Sequence, residues 1–289
     1  MNTATMISVP IAVNNDHFRM QLELFWFNHK ATYGESAARE KFRAVIVKRN
    51  TVGEQPKDIC EWAGDIPHVM ADAYFDVRKD LTNPVLCPIN IQLGLSQVIA
   101  AFDDEQVIEV LDCDMFHLKP HPDLTIEDDE LIVADIYEEW HLRSLTDHKH
   151  VIEPFFRNGG NYYNGGFVPI IGKAKTFKKI LPVWIELHKL IVEAQSDGDV
   201  QWWAGMYSLQ AACENNAVLM RAMDLCYVPG INALNDDHYI AHYSVDSKFN
   251  KHTWPDIDVS SFEENEFYTR VLEWMRQEKN MAADALPRW

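Results

Sequence analysis

Short, strongly apolar runs alternate with helix-length stretches through the first half of this 289-residue chain. MISVPIAV (6–13), FRAVIVKRN (42–50), QVIEVL (106–111) and LIVAD (131–135) each read as a strand with few polar positions. Such strands are buried on both faces, so the pattern predicts a largely parallel sheet covered by helices, in the α/β class. The intervening stretches agree. Asp16 caps FRMQLELFWFNHKATYG, a predicted helix that stops at Gly34, and NIQLGLSQVIAAF (90–102) reads as a second helix. Further on, NGGFVPII (164–171) predicts a strand introduced by glycines. KAKTFKKILPVWIELHKLIVEA (173–194) predicts a helix that Pro182 breaks or kinks, and QWWAGMYSLQAACENN (201–216) another helix. Ser261 and Glu264 stand at capping-box spacing before a C-terminal helix.

Composition narrows what such a fold can do. The formal charge of −18 repels phosphate backbones, so broad nucleic-acid binding is disfavoured. No run approaches the ~18 to 20 apolar residues of a membrane span. MNTATMISVPIAVNND lacks a basic start and an apolar secretory core, so a cytoplasmic location without an anchor is expected. Five scattered cysteines with no CxxC fit reduced thiols and exclude a zinc ribbon.

The chemistry concentrates where QVIEVL runs out, at Asp112-Cys113-Asp114. Ligands of parallel sheets bind at the carboxyl ends of strands. Residues i and i+2 of a strand share a face, so the two carboxylates can aim at one point. Converging carboxylates raise one another's pKa unless a cation intervenes, and oxygen ligands suit Mg²⁺ or Mn²⁺, which in turn suit phosphate. A solvated turn is the plainer alternative for Asp-x-Asp alone. Two enzyme classes carry an apolar run ending in it. Haloacid-dehalogenase phosphatases use the first Asp as nucleophile, but with Thr or Val two residues after the second Asp, where this chain has Phe116. SDGDV (196–200) keeps that alternative open. The other class is the nucleotide-sugar glycosyltransferases of GT-A fold.

Downstream segments bear on the choice. YYNGGFVPI (162–170) resembles the segment after the DxD of retaining glycosyltransferases related to glycogenin and galactinol synthase. HYSVDSK (242–248) keeps the His-x5-Lys spacing of their HxxGxxKPW motif, with the Gly and the Pro-Trp replaced. Four segments in order are similar to plant hydroxyproline O-arabinosyltransferases and peptidyl-serine α-galactosyltransferases. These are PINIQLGL (88–95), LDCDMF (111–116), VPIIGKAKTFKKILPVWIEL (168–187) and Trp202-x-x-Gly205-Met206-Tyr207. The departures are Gly205 for a Glu, and Ile91-Gln92 for a Lys-Pro.

The resemblance implies a GT-A fold with a mostly parallel central sheet and helices on both faces, as a single domain over 1–289. Residues 1–115 form its nucleotide-binding half, 116–255 its acceptor and metal-completing half, and 256–289 a C-terminal helix. It further implies a retaining transferase that uses Mn²⁺ or Mg²⁺ and a nucleotide-sugar, with UDP the family-typical nucleotide. Asp112, Asp114 and His242 are the implied metal ligands, and Lys248 contacts the diphosphate. By fold analogy Val9, Pro10 and Ala12 form a wall for the base, and Arg49 or Asn50 reaches ribose or phosphate. Asn164, Asp199 and Gln201 are candidates to stabilise the cationic sugar, with Asp197 and Asp199 equally readable as a polar helix cap. Trp202 and Trp203 read as a sugar platform or as core. The acceptor is a hydroxyl on a peptide, glycan, small molecule or hydroxymethylated nucleobase. Only the last needs a basic patch, for which Lys173, Lys175, Lys178 and Lys179 are the local candidates, and a solvated helix face is their plainer reading. A non-catalytic nucleotide-sugar or protein-binding module on the same fold is the remaining alternative.

Overall fold

A computed structural model describes residues 5–13, 16–48, 63–72, 89–135, 154, 167–194, 198–228 and 232–242. Along these residues the chain forms β1 (Ile7–Val13), α1 (Asp16–Tyr33), α2 (Glu35–Glu40), β2 (Ala44–Val47), β3 (His68–Ala71) and α3 (Ile89–Val98). It continues through β4 (Val107–Asp112), β5 (Met115–His117), β6 (Glu130–Ala134), β7 (Phe167–Lys173), α4 (Ala174–Ala194) and α5 (Gly198–Asn215). The last elements are β8 (Leu219–Met223), β9 (Cys226–Tyr227) and β10 (Ile240–His242). They fall into two compact units that interleave along the sequence. The first comprises 1–14, 41–112 and 123–224; the second comprises 15–40, 113–122 and 225–289.

The first unit is built on a seven-stranded sheet in the order β3-β2-β1-β4-β7-β6-β8. Every neighbouring pair is parallel except the two that involve β7. The expected mixed α/β, mostly parallel architecture is therefore present, with one reversed strand that apolar patterning cannot reveal. β7 enters the sheet at the edge where β6 leaves it, and antiparallel neighbours need no crossover back to the opposite edge. Consecutive residues of β1, β2, β4 and β6 are buried, so both faces of these strands are covered. α3 packs on β1, β2 and β3, and Gly94 makes this approach possible: a Cβ there would lie 2.7 Å from Val47 Cγ2 and 3.2 Å from Val45 Cγ1. α4 packs on α3, α5 and β7. It continues through Pro182 without interruption, so of the break or kink expected there the break does not occur. Pro182 is exposed, so its ring meets solvent rather than a packed neighbour, and Leu181 and Trp184 beside it hold the helix to the core.

In the second unit β10 pairs antiparallel with β5 and parallel with β9. α1 packs against β5, and Gly34, at φ 77°, closes α1 by donating its N–H to the carbonyl of Lys30 at 2.8 Å. Buried Cys113 donates its thiol to Gln21 at 3.2 Å; Cys113, Cys213 and Cys226 are buried thiols outside any disulfide among the described residues. No helix among these residues is long and apolar enough to cross a membrane. The Ser261–Glu264 capping box lies outside them.

Candidate metal-binding site

Strand direction decides where the chemistry can gather. β1 to β4 run parallel, so their C-termini reach one edge of the first unit. There Ile11 pairs with Asp112, Val13 with Val47, and Val47 with Ala71. Asp112 thus closes β4 at the ligand-binding edge expected of such a sheet. Val9, Pro10 and Ala12 lie in β1, where Val9 pairs with Val110 and Pro10 with Leu111; Val9 and Ala12 are fully buried. The directions of β3, β6 and β8 bring Asp72, Asp135 and Asp224 to the same edge, one residue past each strand. Sequence reasoning passed over these three, although LIVAD carries the same signal as the end of β4: an apolar run closed by an acid. Asp72 is already engaged, ion-paired with Lys48 at 3.7 Å.

In the second unit, one residue past Cys113, the structure builds a pair. Asp114 leads directly into β5, and the β5–β10 register sets Met115 opposite His242. That pairing brings the Asp114 carboxylate and the His242 ring together: Nε2 to Oδ1 is 3.2 Å, with both residues buried at 7% and 5% exposure. A carboxylate withdrawn from water needs a donor or a cation beside it. A carboxylate oxygen at the start of β5 and an imidazole nitrogen on β10 meet that need in two ways, as an ion pair with protonated His242 or as two ligands converging on one cation. The donor set fits Mn²⁺ or Mg²⁺ chemistry, with hard oxygen and one neutral nitrogen. Asp112 is joined to Asp114 through Cys113 alone.

Other sequence candidates fall as follows. Arg49, Asn50, Asn164, Asp197 and Lys248 lie outside the described residues. Asp199 and Gln201 occupy the first turn of α5, with Trp202 and Trp203 following, so the helix opens three residues earlier than expected; the described set does not include these side chains. The lysines after β7 are not a free basic patch. Lys173 and Lys175 both pair with Glu105 and Asp128, Lys178 with Asp104, and Lys179 with Asp129. Lys173 and Lys175 hold the Asp128 carboxyl down at about 2, and the same partners raise both lysines.

Gly205 has a local explanation. A Cβ there would lie 3.0 Å from Gln92 Nε2 and 3.2 Å from the buried His188 ring, and its carbonyl accepts Trp184 Nε1–H at 2.7 Å. Side chains from α3 and α4 fill the space that a larger residue on α5 needs.

No protein-family profile matches the chain, and no curated protein matches it by sequence. Solved structures do align. The galactosyltransferase LgtC, in complex with donor and acceptor sugar analogs, shares 11% identity at TM-score 0.48, over 82% of this chain and 87% of LgtC. An active-site mutant of LgtC gives 10% and 0.47 over the same shares. The apo bifunctional enzyme WbbM gives 9% and 0.47, over 83% of this chain and 46% of WbbM. At these identities and scores the likeness decides neither family nor activity.

Proposed function

We propose that this chain is a retaining GT-A glycosyltransferase that moves a sugar from a nucleotide-sugar, a UDP-sugar by resemblance, to an acceptor hydroxyl. The observation that carries this reading is the buried Asp114–His242 pair, whose partners are 128 residues apart in sequence and aligned by the β5–β10 register. In this reading Asp112, Asp114 and His242 hold a divalent cation. When bound, Mn²⁺ or Mg²⁺ supplies positive charge against the departing diphosphate.

The remaining steps belong to the chain itself. Lys248 sets an ammonium against the same diphosphate charge. Val9, Pro10 and Ala12 are buried within the sheet and so support the base from beneath at the C-terminal end of β1 rather than forming its wall, with Arg49 or Asn50 toward ribose or phosphate. As the bond to the diphosphate breaks, the sugar gains cationic character, which the amide of Asn164 or the side chains of Asp199 and Gln201 stabilise. The acceptor hydroxyl attacks from the face the diphosphate leaves, and its proton passes to a leaving-group oxygen, so no strong protein nucleophile is required. The acceptor is a peptide, glycan or small-molecule hydroxyl. The ion-paired state of Lys173, Lys175, Lys178 and Lys179 weighs against a nucleic-acid acceptor.

The test is incubation with Mn²⁺ and a panel of nucleotide sugars, with and without chelator. The expected result is chelator-sensitive release of free nucleoside diphosphate from one donor. Phosphate release from a simple ester without any sugar donor would establish the phosphatase alternative instead. A silent panel from protein that binds Mn²⁺ would favour the non-catalytic module.

A further inference from the structure

We infer that Asn28 is a positioning residue for Asp114 and His242, acting by clamping the backbone of β5. The inference rests on reading those two residues as metal ligands. β5 is three residues long, and among the described residues it lies at the edge of its sheet with β10 as its one strand neighbour. A strand this short has little hydrogen bonding of its own to hold its register, and a slip of one residue turns every side chain to the opposite face. The structure supplies the missing partner from α1. Asn28 Oδ1 accepts the His117 N–H at 2.6 Å, and Asn28 Nδ2 donates to the His117 carbonyl at 3.0 Å. One carboxamide thereby makes the exchange of two backbone bonds that a neighbouring strand residue makes. Asn28 is 1% exposed, so neither bond competes freely with water.

The next residue of α1 secures the side chain. His29 Nδ1 and His117 Nε2 are 3.1 Å apart, and Phe25 packs on the His117 ring at a centroid distance of 5.1 Å. His117 is thus held by its backbone and by its ring. It lies three residues from Asp114 and pairs with Ile240, two residues from His242. Fixing His117 fixes the register that sets Met115 opposite His242, and with it the 3.2 Å approach of the two ligand atoms. Only a side chain with a donor and an acceptor in one planar group serves here. Asp keeps the acceptor and loses the donor, and Leu keeps the volume and loses both.

The experiment is Mn²⁺ titration of the full chain, followed by the electron paramagnetic resonance of free aquo-Mn²⁺, with circular dichroism and size exclusion on the same samples. Asn28→Leu is expected to weaken Mn²⁺ binding about 10- to 100-fold, the range typical for partners that orient metal ligands, with Asn28→Asp intermediate. Ile132→Val, in the core of the other unit, is expected to leave the affinity unchanged and so separates positioning from general loss of stability. Folded Asn28→Leu and Asn28→Asp proteins with wild-type affinity would overturn the inference while leaving the metal reading intact. If Asn28→Leu does not fold, Asn28→Asp decides: reduced affinity supports the clamp, and unchanged affinity overturns it. A wild-type titration without any site that Asp114→Asn removes would overturn the metal reading, and the inference with it.

Discussion

A carboxylate and an imidazole buried side by side raise a question that either residue alone does not. Asp114 and His242 are withdrawn from water, and the register of two three-residue strands maintains their 3.2 Å approach. Asp114→Asn keeps the size and an amide oxygen but removes the charge. We expect it to lower metal-dependent turnover of the donor about 10²-fold, read from initial rates of nucleoside diphosphate release. Gly94 sets a different test. Alanine is the better helix former by about 1 kcal/mol. Its Cβ, however, would meet two β-branched valines at 2.7 and 3.2 Å, and stiff neighbours in a packed core cost about 1–3 kcal/mol to displace. Gly94→Ala is therefore expected to lose about 1 kcal/mol, measured as a lower urea midpoint. An unchanged or higher midpoint would mean that α3 shifts easily over β2.

The elements show how far local pattern reaches. The long apolar runs of β1, β4 and β6 and the helices α1, α4 and α5 were legible because their periodicity extends over several turns or residue pairs. β3, β5, β9 and β10 were not: at two to four residues, and without the unbroken apolar run AVIV that marks the equally short β2, they carry too little pattern to distinguish from loops. Yet β5 and β10 are the strands that bring Asp114 to His242. The Asp-x-Asp signal and the His-x5-Lys resemblance singled out Asp114 and His242, while the pairing that sets them 3.2 Å apart is tertiary. Pro182 marks the opposite failure, a strong breaker overridden by the packing of its neighbours. Its ring removes one helix hydrogen bond at an exposed position. Pro182→Ala is expected to stabilise the protein by about 1–3 kcal/mol, less the flexibility regained by the unfolded chain. A lower thermal midpoint would show that Pro182 is accommodated by a distortion useful to α4.

For the whole molecule, the alternation of strands and helices announced an α/β sheet, while the reversal of β7 depended on where the chain re-enters the sheet. The histidines give the folded chain a pH dependence that composition alone does not show. Burial lowers His188 to about 3, and burial together with the charges of His121 and His29 lowers His117 well below its ordinary value. Unfolded histidines titrate near about 6.5, so below that pH the unfolded chain binds protons that the folded chain refuses. Their contribution is complete above about pH 6.5 and is lost as pH falls from there toward 3. Urea midpoints should decline between pH 7 and pH 5, with a smaller decline in a His188→Gln variant. A midpoint flat across that range would mean that these rings accept protons in place.

The central claim of the proposed function is that Asp114 and His242 hold a cation that in turn holds a diphosphate. Calorimetric titration of UDP into the full chain, with Mn²⁺ and with chelator, tests it most directly. The account predicts UDP binding that requires Mn²⁺ and disappears in Asp114→Asn. UDP binding of equal strength in chelator, or unaltered in Asp114→Asn, would contradict it.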